Sequence, residues 1–511
     1  MENATLTPRR QGPEVQPPTA GPLRARLSWP AAAFAVLCGI TVWIFVAYPT
    51  YPNYDSVYSL IWGRELLNGT TPSFEAYRAP TEHPLAIAFG AALALLGEPA
   101  DRVMLAFTLL SFLGLVAGLY RLGRTAFSPV IGAVAAAILC TRLDFPFLAL
   151  RGYIDVTYLA FVVWAAALEY ERPRTGYRVP LLLAGAALMR PEAWLLAGLY
   201  FLWAAWPHRR ALVCGRVLKL LALGVLGPVL WVATDFTVTG EPLFSLTHTS
   251  SLADELGRDR PPSEIPQLTL SYLRQLASPT VFAIGVGGLI AAVLAAPRRI
   301  AAPMALLVIG VGTFFMIGVA GLSVIDRYLL VASVVIMLFA AVAIAGASLL
   351  NPGRVRTAAV VAGVLLAALA GYKTNWHVNR TDPFSELNFR GAVHAKLVDI
   401  LENPKVVAGL KCGPLSTPSH KLIPEVRWIA DLPEDKVLAR TDPEHSAVDK
   451  GVPGITSDKA TATGLALLVT TRATLLRQAV VEDNDTPLDN IPPDGMRRLA
   501  FNGTYAVYTS C

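Results

Sequence analysis

Val103–Tyr120, VMLAFTLLSFLGLVAGLY, decides the fold: eighteen consecutive residues without one charged side chain. A helix needs roughly 17–25 mostly apolar residues to cross a bilayer. Ala31–Tyr48, Ala302–Val319 and Leu329–Leu350 repeat the pattern. Across all 511 residues, 54% are hydrophobic and only 16% are charged. A soluble domain carries about a quarter charged residues, so these runs point to lipid as solvent. The chain reads as a polytopic α-helical membrane protein, and nothing in it points to nucleic acid.

Lys and Arg collect in short cytoplasmic loops, which orients the spans. Basic clusters occur at Arg9/Arg10/Arg24/Arg26, Arg121/Arg124, Arg172/Arg174/Arg178, Arg209/Arg210/Arg216/Lys219, Arg298/Arg299 and Arg354/Arg356. The loops between them are mixed or acidic. Placing the clusters inside gives about eleven spans, near 30–48, 103–121, 127–141, 153–170, 177–190, 192–207, 217–234, 278–296, 302–320, 328–348 and 356–371. An odd number puts the C-terminus outside, with residues 1–29 as a disordered cytoplasmic tail. A signal peptide is the rival reading of Ala31–Tyr48; no small-x-small cleavage site follows it.

Beyond Tyr372 the composition turns polar. Strand-length runs at Lys405–Gly409, Lys436–Ala439, Leu465–Thr470 and Tyr505–Thr509 alternate with helical patterns at Glu386–Leu401 and Thr474–Val481. This predicts a small extracytoplasmic α/β domain over 372–511, suited to packing, acceptor recognition or partner contact. Cys412 and Cys511 are its two cysteines, and an oxidising compartment would let them pair. Asn68, Asn379 and Asn502 each begin an Asn-x-Thr sequon, a pattern common by chance.

Ionisable residues sit at four outer junctions. The first loop, Tyr51-Pro-Asn-Tyr-Asp-Ser-Val-Tyr, carries Tyr54 and Asp55 and leads into an amphipathic stretch, Val57–Leu67, suited to the membrane surface and containing Arg64. Glu82-His83-Pro84 then opens a short apolar helix. A carboxylate and an imidazole at one membrane face suit proton transfer or metal binding; equally, Asp55 caps a helix and His83 is an interfacial residue. The second junction holds Arg151 and Asp155, with Arg142, Asp144 and Arg151 able to form a purely structural ion network. Arg190 and Glu192 mark the third, and Arg327-Tyr328 the fourth. Such charges need partners or a polar cavity, and arginine suits phosphate because its fork binds two oxygens while staying charged. The loop from Asp235 to Ala277, with Pro261-Pro262, reads as a lid or as a solvated connector.

In order and spacing these motifs resemble the GT-C superfamily of membrane glycosyltransferases, most closely its aminoarabinose transferase and protein O-mannosyltransferase branch. Asp55 matches the family's acidic residue after span one. Glu82-His83-Pro84 stands where the family has a Lys-Pro-Pro-like helix start. Asp155-Val-Thr is similar to its Asp-x-Pro without the proline, Met189-Arg190-Pro191 to its Thr-Lys-Gly turn, and Arg327-Tyr328 to its Arg-Tyr at a late outer boundary. The resemblance covers most of residues 30–371, the expected catalytic body. It implies sugar transfer from a polyprenyl-phosphate donor to an extracytoplasmic glycan, lipid or protein at the plasma (inner) membrane. In that reading Asp55 is the general base, with Asp155 as the second catalytic residue. His83, Arg151, Arg190 and Arg327 hold the donor phosphate, while Tyr54, Arg64, Glu82, Glu192 and Tyr328 contact substrate. A divalent ion on Asp55, Glu82, His83 and His248 is an alternative use of the same loop. A non-catalytic scaffold with this body, or a lipid or solute transporter, remains the competing class.

Overall fold

The computed structural model describes residues 28–208, 215–442, 463–478 and 490–511. The expected disordered tail, the Arg209/Arg210 pair and Cys214 lie outside them. Twenty α-helices and a five-stranded sheet make up the described chain. The helical body holds α1 Trp29–Ala47, α2 Tyr54–Leu67, α3 Pro84–Ala94, α4 Ala100–Ala126, α5 Pro129–Thr141, α6 Asp144–Leu150, α7 Asp155–Glu171, α8 Arg178–Met189 and α9 Glu192–Ala205. It continues through α10 Gly215–Thr239, α11 Phe244–Glu255, α12 Ile265–Ala277, α13 Pro279–Ala295, α14 Ala301–Val319, α15 Leu330–Ala345 and α16 Arg354–Thr381. By length and composition six helices can cross a membrane, or eight if the bent pairs α5/α6 and α12/α13 each count once. The expected pair 177–190 and 192–207 forms α8 and α9, 12 and 14 residues long, so it falls below that length.

The bends have local causes. Ser278 accepts the Val281 N–H through its side chain and Pro279 takes the first helical position, so α13 starts afresh, turned 105° from α12. Arg142 closes α5 and sends its guanidinium to the Leu276 and Gln275 carbonyls, 3.0 and 3.1 Å away, capping the end of α12. Its bond to Asp144 at 2.6 Å completes the structural network anticipated there; Arg151 is not part of it.

At the centre runs α15, buried along Leu330–Val342, as an all-round apolar helix should be. Gly285 and Gly288 of α13 face it without a side chain. A Cβ on Gly288 would lie 1.9 Å from the Phe339 carbonyl oxygen, while one on Gly287 would meet nothing within 4 Å. The first outer loop folds differently from its sequence reading. Ser56–Gly63 of α2 are all buried, so this helix is packed inside the protein and not laid on a membrane surface. Its Gly63 meets Gly90–Ala91 of α3 backbone to backbone.

Beyond α16, which runs past residue 371, the C-terminal domain comprises α17 Pro383–Leu401, α18 Pro404–Gly409, β1 Leu415–Thr417, α19 Ile423–Ile429, β2 Val437–Ala439, β3 Leu465–Val469, α20 Arg472–Gln478, β4 Arg497–Phe501 and β5 Tyr505–Thr509. The sheet order is β2-β1-β3-β5-β4; β1 pairs parallel with β2 and β3, and β5 pairs antiparallel with β3 and β4. Leu397 and Leu401 of α17 pack on Leu415, Leu465 and Val507 to form its core. Residues 405–409, expected as a strand, are helical because Pro404 takes the first position and Asn403 caps the Lys405 N–H. Cys412 and Cys511 form a disulfide, Cα–Cα 6.6 Å, across 99 residues of chain.

This domain is bolted to the first outer loop. Arg427, fully buried, bonds Glu65 at 2.6 Å and Ser73 at 3.0 Å, while Arg64 pairs with Asp431 at 2.9 Å and donates to the Arg427 carbonyl. His394 stacks on Tyr51 at 4.8 Å and bonds Glu425 at 2.5 Å. Packing of α13 on α15 yields a direct check: Gly288→Leu should lower the thermal midpoint of the purified protein sharply, and Gly287→Leu should leave it within a degree or two. Equal effects of the two would contradict this packing.

Candidate active site

Where the C-terminal domain meets the helical body there is a cavity of about 340 Å³. The loop before α2 forms one wall. Its backbone is tied to the loop between α6 and α7: Asn53 N–H donates to the Arg151 carbonyl at 2.6 Å and the Ser56 hydroxyl to the Gly152 carbonyl at 2.6 Å. These bonds set Asp55, in the first turn of α2, beside the start of α7 and its Asp155.

The acids and bases of four junctions then join in one chain. Arg327 places Nη1 3.3 Å from Asp55 and 3.4 Å from Asp155. Asp155 also binds Arg190, which in turn bonds Glu192 at 2.7 Å. Tyr328 lies under the Arg190 guanidinium at 5.0 Å, and Tyr153 under Arg327 at 5.0 Å. Asp155, Arg190 and Glu192 are almost wholly buried, whereas the Asp55 and Arg327 side chains are about a fifth and a quarter exposed to the cavity. Asp155 therefore positions the two arginines, and Asp55 is the carboxylate open to a ligand.

Seven cationic side chains line the space, Arg78, Arg151, Arg190, Arg258, Arg327, Arg390 and Lys421, against the two carboxylates Asp55 and Glu425. Tyr54, His83, Arg151 and Tyr328 are in the wall as expected. Arg64, Glu82 and Glu192 are not: Arg64 docks the C-terminal domain, and Glu192 is spent on Arg190. Glu82 is fully buried in a carboxyl pocket with Asp235, whose oxygens take the Ser245 N–H and hydroxyl at 3.0 and 2.6 Å. Burial, with Asp235 adding to it, pushes the Glu82 carboxyl up to about 8. His83 packs edge-on against Trp231 at 5.7 Å; burial, reinforced by the Arg190 charge, pulls it down to about 4. His248 points elsewhere, its ring on Phe244 and Nε2 3.1 Å from the Ala79 carbonyl. Among the described residues no three His, Cys, Asp or Glu gather to hold a metal, and no step is assigned to one.

Arg78, Arg258, Arg390, His420 and Lys421 were missed by sequence reasoning. Arg78 stands in the first outer loop and bonds Glu255 of α11 at 2.8 Å. Because arginine only donates, its 3.3 Å contact makes His420 Nδ1 an acceptor. The rest come from α17, from the turn before α19 and from the loop after α11. That loop, with α11 supplying Leu252 and the following turn supplying Leu256 and Arg258, is part of the cavity wall and not a solvated connector.

Two stability outcomes follow. Removing Arg190 strands Asp155 and Glu192 in the interior, so Arg190→Gln should cost about 3–5 kcal/mol in urea or thermal unfolding. A raised carboxyl favours the fold while protonated: its contribution is present in full below about 4.5 and is lost as pH rises through about 8. The wild-type midpoint should therefore fall between pH 5 and 8 relative to Glu82→Gln; parallel curves would sink this reading of Glu82.

No protein-family model matches the chain, and no curated protein matches it by sequence. Solved structures do match it. ArnT from Cupriavidus metallidurans in the apo state is 14% identical, TM-score 0.54, with 94% of this chain and 97% of that one covered. The Archaeoglobus fulgidus oligosaccharyltransferase in its apo form is 12% identical, TM-score 0.52, covering 89% and 72%, and the same enzyme tethered to an acceptor peptide with an NVT sequon is 14% identical, TM-score 0.51, covering 89% and 71%. Helical body, capping domain and these likenesses together show that the chain shares the fold of these two proteins.

Proposed function

We propose that this protein is a membrane glycosyltransferase that moves a sugar from a polyprenyl-phosphate-linked donor to an acceptor outside the cytoplasm. The observation that carries the reading is Asp55: an accessible carboxylate, oriented by Arg327, at the mouth of a cavity with an excess of fixed positive charge. Sharing a fold with two transferases supports the reaction class, while the residues supply the argument for mechanism.

In this reading the acceptor hydroxyl attacks the anomeric carbon and Asp55 takes its proton. The bond between that carbon and the phosphate oxygen breaks, and the electron pair leaves with the lipid phosphate. Attack opposite the leaving group inverts the anomeric centre. The growing charge on the phosphate is met by cations already fixed in place, which therefore need no reorganisation as the bond breaks. Arg327 is one of them; Arg151, with no carboxylate of its own among the described residues, is another. Tyr54 and Tyr328 offer hydroxyls and ring faces to the sugars. The sidedness follows the basic clusters: N-terminus in the cytoplasm, C-terminal domain outside, multi-pass in the plasma membrane.

Asp55→Asn keeps the size of the side chain and removes the base. It should reduce transfer about 10²–10⁴-fold and accumulate the lipid-linked donor, with the thermal midpoint little changed. Mass spectrometry of envelope glycans and polyprenyl-phosphate sugars from cells with native, absent and Asp55→Asn protein reads both effects. A scaffold or transporter would lose function on deletion yet tolerate Asp55→Asn.

A further inference from the structure

At the other end of the helical body a separate, apolar cavity of about 580 Å³ opens between α7, α8 and α9 on one side and α14 on the other. Leu183 of α8, Leu196 and Leu199 of α9, and Ala302 and Ala305 of α14 line it. Along α7 it reaches Glu169, about 21 Å from Asp155 at 1.5 Å per residue. Pro173 and Arg298 bound it, in the loops that hold the basic clusters Arg172/Arg174 and Arg298/Arg299. It shares no residue with the cavity at Asp55. Leu199 and Trp203 in its wall are 41% and 50% exposed, so it opens sideways to the bilayer.

Its polar end carries one fixed charge of each sign, Glu169 and Arg298. Glu169 accepts the Trp203 indole N–H at 2.7 Å, the Tyr200 hydroxyl at 3.0 Å and the Arg174 backbone N–H at 3.0 Å. All three donors are neutral, and they leave the carboxylate one of its roughly four lone-pair directions. Arg174 turns its own guanidinium onto the Trp203 ring, 3.7 Å away. Arg298, just before α14, is exposed. Among the described residues neither Glu169 nor Arg298 forms an ion pair. A carboxylate at the edge of an apolar span is costly without a counter-charge. A ligand that brings an ammonium to Glu169, a phosphate to Arg298 and a hydrocarbon chain to the groove satisfies all three features at once.

We infer that this groove holds a zwitterionic phospholipid with a primary ammonium, one acyl chain lying between α9 and α14, the phosphate at Arg298 and the ammonium at Glu169. Charge complementarity selects it. A headgroup without the ammonium leaves Glu169 unmatched, and a trimethylated ammonium has no N–H for the remaining lone pair. The lipid enters from the leaflet beside the basic loops. Its binding needs no sugar chemistry and is independent of the transferase reading. The helices it bridges both lead to the active site: α7 starts at Asp155, and α14 runs into the turn that carries Arg327. A lipid seated between them braces the pair of helices whose far ends meet through the Asp155–Arg327 contact.

The test uses the full-length protein, stripped of lipid in detergent, with dioleoyl phosphatidylethanolamine, phosphatidylcholine and phosphatidylglycerol as probes, read by native mass spectrometry and thermal shift. One phosphatidylethanolamine should stay bound per chain and raise the midpoint, at a concentration where the other two lipids do neither. Glu169→Gln keeps an acceptor for Tyr200 and Trp203 but removes the charge, and should bring phosphatidylethanolamine down to the level of phosphatidylcholine. Arg298→Gln and Ala305→Trp alter exposed positions where folding is not at stake. Each should weaken phosphatidylethanolamine at least tenfold, the first through the phosphate and the second by filling the groove. Equal retention of the three lipids by the native protein, a preference that survives Glu169→Gln, or native affinity in both other variants overturns the inference.

Discussion

Charge cannot be left unpaired where the ends of α2, α7, α8 and α15 converge, because the surrounding helices are apolar and the groups are nearly sealed from water. The structure answers with an alternating chain, Asp55–Arg327–Asp155–Arg190–Glu192, in which each member has an opposite charge as neighbour. Four segments that are distant in sequence are pinned to one another by it. Satisfying a chain with three carboxylates and two arginines also leaves a formal excess of one negative charge, so these arginines alone do not make an anion site. The excess positive charge of the cavity comes from its rim: Arg151, Arg258, Arg390 and Lys421. On the proposed reading, that division lets one carboxylate, Asp55, stay available while the leaving phosphate is met by cations.

Half of the rim exists only because the C-terminal domain is seated. Its α17 brings Arg390, and the turn into α19 brings His420 and Lys421. Seating depends on side chains outside the cavity wall: Arg427 in its pocket of Glu65 and Ser73, Arg64 on Asp431 and on the face of Trp428, and His394 between Tyr51 and Glu425. A buried arginine such as Arg427 is costly unless all its donors are placed, and two of its three nitrogen atoms find partners on the first outer loop. Domain docking and site assembly are therefore one event, with α2 as the shared element. This is also why α2 is buried: its outer face carries the domain, and its Gly63 side lies on α3.

Much of this was legible in residue order. Charge-free runs gave the helical body, and the ionisable residues at helix ends marked the junctions that meet at Asp55, because a charge at the edge of an apolar segment is rarely idle. Position along the chain said less about direction. Glu82 and His83 are neighbours, yet one turns into a closed carboxyl pocket with Asp235 and the other toward the cavity as a neutral ring. Arg64 has the same charge as Arg327 and serves a domain contact. Arg390 carried no motif at all; it lies in an ordinary helical pattern, and its significance depends on Tyr51 and Arg151, more than two hundred residues earlier. Residues 405–409 misled because valine-rich runs suit strands, while the Asn403-Pro404 start, a helix signal of equal weight, went unweighed.

Separating the arginines by whether they have a carboxylate has a consequence for catalysis. An arginine already bonded to two acids, as Arg327 is, gains little from a ground-state phosphate and responds mainly to added negative charge as the bond to sugar breaks. One without an acid binds the phosphate from the outset. Ground-state affinity and transition-state stabilisation are then carried by different residues, and the second kind alone accelerates the chemical step. On the proposed reading, Arg151 would bear on how tightly the donor is held, and the Asp55–Arg327 couple on how fast it reacts.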